Sequence, residues 1–76
     1  MNKQRRKAIN DIHDRLSSIK DEIETQCDEE QSAYDNLPES IQESDRGHAA
    51  YEAAEALKTA LESVDEALDR LMDAAS

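Results

Sequence analysis

The sequence predicts an all-α protein built as an antiparallel two-helix hairpin of coiled-coil type. Three observations predict it. The 76 residues include one Gly and one Pro, so little interrupts a regular backbone. Apolar residues recur at alternating steps of three and four along two stretches, the spacing of a coiled-coil seam. The two stretches also match in reverse, because residues facing across an antiparallel pair have position numbers with a constant total. Ile9 with Leu71, Ile12 with Leu68, Leu16 with Val64, Ile19 with Leu61 and Ile23 with Leu57 all total 80. A disordered chain, which 37% charged residues would otherwise allow, has no reason to meet that condition.

The first helix is expected over residues 3–34, with Ile9, Ile12, Leu16, Ile19 and Ile23 as its share of the hairpin core. Beyond Ile23 the seam thins. Cys27, Tyr34 and Leu37 continue it with a one-residue slip, and Glu30 stands where an apolar residue is expected. The break falls at Asp35-Asn36-Leu37-Pro38, since proline cannot continue a helix and forces its predecessor out of helical geometry. A turn is expected over residues 35–44, with a short helical piece at 38–42 because proline suits a first helical turn. Ser44 is the expected N-cap of the second helix, and Asp45 complements the positive end of its dipole. Gly47, near that start, is expected to cost the helix little there.

The second helix is expected over residues 45–74. Its seam is Ala50, Ala54, Leu57, Leu61, Val64, Leu68, Leu71 and Ala75, with no break in the alternation. A second stripe, Ala53, Ala60, Ala67 and Ala74, repeats every seven residues beside it. The resulting apolar face is wider than a two-stranded coiled coil needs. Small side chains admit close approach of further helices, so this stripe is the expected interface. Two hairpins would dimerise through it into a four-helix bundle, or another protein would cover it.

Charge narrows the function classes. Lys3, Arg5, Arg6 and Lys7 stand together near the start without an acid, which is +4. The other five bases share the remaining chain with all nineteen acids, which is −14, and the net charge is −10. A body this acidic repels nucleic acid and anionic membranes, so neither is an expected partner. The basic run also lacks the aromatic residues of a nucleic-acid patch. The long acidic helices could instead imitate a phosphate backbone, which keeps open a DNA-mimic inhibitor of a nuclease or DNA-binding protein. Residues 3 to 7 are expected to lie beside Glu66, Asp69 and Asp73 at the end of the second helix. A single cysteine forms no internal disulfide, and no apolar run has signal-peptide or membrane-spanning length, so a cytoplasmic setting is expected.

Chemistry-bearing arrangements are sparse. His48 lies three residues after Asp45 and four before Glu52, a spacing seen in carboxylate-bridged metal sites. His13, between Asp11 and Asp14, supplies no matching Glu-x-x-His, and these groups read as solvated helix faces. Cys27 reads as a small seam residue, because a two-helix hairpin has no cleft to hold an activating base. Tyr34 and Tyr51 are placed to pack on each other near the turn. Gly-rich phosphate loops, catalytic triads and Cys-x-x-Cys motifs are absent. No enzymatic activity, catalytic residue, metal site or cofactor is expected. The sequence points to a non-enzymatic protein–protein interaction module that associates with itself, with another protein, or with both. A purely structural homo-oligomer is the remaining alternative.

The stretch Asn36-Leu37-Pro38-Glu39-Ser40-Ile41-Gln42, with Ser44, Arg46-Gly47 and the Ala/Leu heptad helix behind it, resembles small acidic helical proteins encoded by phages and prophages. The resemblance covers roughly the second half of the chain and carries no functional residues across. It implies a bacterial host-cell cytoplasm and a protein that inhibits or modulates a host factor.

Overall fold

A computed structural model describes residues 2–76. Among them the order is α1 (Lys3–Asp35), α2 (Glu39–Gln42) and α3 (Asp45–Ala75), with no strand. The two long helices pack along one another, and the described residues extend over 58 × 14 × 12 Å. That length is the roughly 50 Å of a 33-residue helix plus a turn, and that width is two helices side by side. Along α1 the partners on α3 come in reverse order, Lys20 on Asp65 and then Tyr34 on Tyr51, so the two run in opposite directions.

Local chemistry fixes the ends. The Asn2 side chain caps α1, its Oδ1 accepting from the Arg5 N–H at 2.8 Å. Pro38 opens α2, and its carbonyl accepts from the N–H groups of Ile41 and Gln42 at 2.8 and 3.0 Å. The Gln42 amide donates at 3.0 Å to the Tyr34 carbonyl, which also accepts from the Leu37 N–H at 3.1 Å, so the last turn of α1 is tied to α2. Ser44 caps α3: its hydroxyl accepts from the Gly47 N–H at 3.4 Å and donates to the Ile41 carbonyl.

Gly47 proves to be a packing position. It is buried, and a Cβ there would run into the backbone carbonyls of Gln42 and Ile41. Its φ is not positive, so the requirement is close approach of α2 rather than backbone freedom.

The register differs from the expected one. In α1 the residues that lose exposure at alternating steps of four and three are Ile9, His13, Leu16, Lys20, Ile23, Cys27, Glu30, Tyr34 and, beyond the helix, Leu37. In α3 they are Gly47, Ala50, Ala54, Leu57, Leu61, Val64, Leu68, Leu71 and Ala75. Matched in reverse, these make nine layers whose position numbers total 84. The contacts agree, since Lys20–Asp65 and Tyr34–Tyr51 each total 85. The pairing of Ile9 with Leu71 and its four companions, which total 80, is therefore displaced by about one helical turn.

Ile12 and Ile19 are the two expected core residues that this register leaves outside, 42% and 47% exposed. Ile9, Leu16, Ile23, Leu57, Leu61, Val64 and Leu71 are half-buried, and Leu68 is buried. The reason lies near the turn. Cys27, Tyr34 and Leu37 face α3 there, and a continuous helix cannot slip a residue on the way back to Ile9. The frame they set puts His13 and Lys20 in the seam and moves Ile12 and Ile19 one residue off it.

Lys20 tolerates its place because its stem lies along the seam while Nζ reaches Asp65 at 2.6 Å and Glu24 at 3.8 Å. The core is thin: among the described residues only Cys27, Gly47, Ala54 and Leu68 are buried. The same register sets residues 3 to 7 level with positions past Ser76 rather than beside Glu66, Asp69 and Asp73. Residues 2 to 8 are accordingly all exposed.

Candidate interaction surface

The seam divides the molecule into two sides of different chemistry. On one side, Lys58 Nζ donates to Gln31 Oε1 and to Glu55 Oε1, each at 3.2 Å. Lys20 meets Asp65 on this side, and Tyr51 sets its ring edge-on to Tyr34, with centroids 5.7 Å apart and planes at 62°. The hydrogen bond from Lys20 to Asp65 holds the lysine above its ordinary pKa, and the hydrogen bond and charge of Glu55 do the same for Lys58. Tyr51, 49% exposed, and Met72, 59% exposed, are the exposed large hydrophobic residues on this side. The tyrosine contact is the one that the sequence placed near the turn.

The other side is apolar and small. On α1 it carries Ile12 and Ile19, one position before the seam residues His13 and Lys20, followed at the same spacing by Gln26 and Ala33. On α3 it carries the alanine stripe, each member one position before a seam residue. Ala53, Ala67 and Ala74 are exposed and Ala60 is half-buried. In an antiparallel pair, positions that precede the first seam position of each heptad share one side. The two isoleucines and the four alanines therefore form one strip along the molecule.

The remaining sequence candidates are not assembled into a site. Cys27 is buried, with Sγ 3.9 Å from the Ala54 carbonyl, in the seam. His48, Asp45 and Glu52 are exposed. His13 is half-buried, and its Nδ1 lies 3.5 Å from its neighbour Asp14. Among the described residues no group of three His, Cys, Asp or Glu is placed to hold a metal ion, and no helix is long and apolar enough to cross a membrane. Two surface depressions are each lined by one helix: Lys3, Gln4, Arg6, Lys7 and Asn10 on α1, and Glu66, Asp69, Arg70, Met72 and Asp73 on α3. Neither is a cleft between elements.

Sequence reading found the alanine stripe but assigned Ile12 and Ile19 to the core. The one signal against that assignment was the slip it required at Cys27 and Glu30. No protein family, curated protein or solved structure matches the chain.

Proposed function

We propose that this chain is a non-enzymatic protein–protein interaction module that works through the strip formed by Ile12, Ile19 and the alanines 53, 60, 67 and 74. The observation that carries the reading is the exposure of two isoleucines, 42% and 47%, beside a stripe of alanines, where only four of the described residues are buried. A thin core gains from further burial of apolar area, at about 25 cal/mol per Å². Small residues also let another helix come close enough to supply it. In this reading the helices form a hairpin, two hairpins form a four-helix bundle, and the acidic outer faces meet other proteins. The resemblance to phage-type acidic helical proteins supports a role as modulator or inhibitor of a host protein in a bacterial cytoplasm.

The test uses the double variant Ile12→Asp/Ile19→Asp. Both side chains stand outside the seam, so the charges are expected to leave helicity intact. Circular dichroism checks the fold, while sizing with light scattering and capture from bacterial lysate check association. Loss of self-association or of a stoichiometric partner, with the helices retained, supports the reading. Wild-type and variant proteins that behave alike in every assay would overturn it.

A further inference from the structure

We propose that the occupant of the apolar strip is a second copy of this chain, laid across it end for end, so that the basic start of each copy sits on the acidic turn of the other. The proposal rests on the functional reading above and names its partner. It follows from the seam register together with the charge layout.

With facing residues totalling 84, each residue of α3 shares a level with a residue of α1. Ala53, Ala60, Ala67 and Ala74 lie level with α1 positions 31, 24, 17 and 10, close to Ala33, Gln26, Ile19 and Ile12. The strip is therefore a ladder whose midpoint is level with about position 21 or 22. It spans about 35 Å at 1.5 Å per residue. A two-fold axis through that midpoint, perpendicular to the helices, lays the strip over itself along its whole length. Ile12 then meets the level of Ala33 and Ala53 of the second copy, and Ile19 meets that of Gln26 and Ala60. Large side chains fall on small ones.

A two-fold axis along the helices would also match isoleucines with alanines, and charge decides between the two. Lys3, Arg5, Arg6 and Lys7 are exposed at one end. Residues 28 to 45, at the other end, hold seven acids and no base. Copies running the same way would gather both basic starts at one end and both acidic turns at the other. The end-for-end arrangement carries residues 3 to 7 to the level of positions 36 to 40 in the second copy. Asp35, Glu39, Glu43 and Asp45 stand there with the single base Arg46, all exposed, so acids outnumber bases at that level. The apolar ladder thus allows two axes, and the charge layout selects the end-for-end one.

The experiment is zero-length carbodiimide crosslinking of the wild-type protein, with light scattering on a sizing column and peptide mapping of the crosslinked species. Within one copy the amines of Lys3 and Lys7 lie about 45–55 Å from the turn, by the same rise per residue, so a bond to Glu39 or Glu43 must join two copies. The expected result is a mass of two copies and crosslinks from Lys3 or Lys7 to Asp35, Glu39, Glu43 or Asp45. Both should be lost in Ile12→Asp/Ile19→Asp at unchanged helicity, and the dimer should weaken at least tenfold between 0.05 and about 1 M salt. A dimer without those crosslinks, or one indifferent to the double variant, overturns the proposal. So does a folded monomer at every concentration. The monomer would leave the functional reading standing if lysate capture still depended on Ile12 and Ile19, so the two ideas fail separately.

Discussion

Replacing Gly47 with alanine sets two effects against each other, and the structure says which wins. Propensity alone favours alanine in a helix by about 1 kcal/mol. Packing opposes it. The added Cβ would meet the carbonyls of Gln42 and Ile41, which are backbone atoms and cannot rotate aside. The Ile41 carbonyl is also held by the Ser44 N–H at 3.0 Å and by the Ser44 hydroxyl. Relief therefore requires α2 to move away from α3, loosening the Ser44 cap on the Gly47 N–H. Overpacking of this kind costs about 1–3 kcal/mol, and a weakened cap adds about 1 kcal/mol. Against the propensity gain, the net expectation is a loss of about 1–3 kcal/mol. In a chain this short that lowers Tm by about 5–20 °C. Thermal and urea unfolding followed at 222 nm, at matched protein concentration, measure it. Ala49→Gly, at an exposed position two residues on, isolates propensity and should lower Tm by about 4–8 °C. If Gly47→Ala raises Tm, the close approach of α2 to α3 is wrong.

Three further outcomes follow from the register and the turn. Leu61→Asp buries an unpaired charge in a seam layer opposite Ile23 and should unfold the protein, whereas Ile19→Asp should change monomer stability by no more than about 0.5 kcal/mol; equal losses of helicity would refute the seam. The Cys27 thiol, 6% exposed, should react with a thiol reagent only as fast as the helices separate, and fast reaction under native conditions would place it outside the seam. Lys20, held above its ordinary value of 10.5 chiefly by its hydrogen bond to Asp65, contributes stability that is fully present below that value and lost as pH rises through the higher folded value. The Tm difference between wild type and Lys20→Gln should accordingly hold from pH 7 to about pH 10 and close above about pH 10.5. Closure already at pH 8 would assign the difference to packing or to another group.

The sequence by itself determined the helical class, the break and the Ser44 cap. These depend on nearest neighbours: Pro38 lacks an N–H, Ser44 carries a capping hydroxyl, and the apolar repeat of α3 runs unbroken from Ala50 to Ala75. The pairing of Tyr34 with Tyr51 was legible for the same reason, because both rings lie a few residues from the turn.

What only the tertiary structure decided was the frame of α1. Ile9, Leu16 and Ile23 belong equally to a seam through Ile12 and Ile19 and to one through His13 and Lys20. Hydrophobicity favours the first, and the one signal against it is the slip it requires at Cys27 and Glu30. The choice is made about 27–38 Å away, where α2 and the close contact at Gly47 fix how far α3 is advanced along α1. A helix transmits that setting rigidly along its length. Two isoleucines are thereby left in the open, and a residue that looked like core becomes surface.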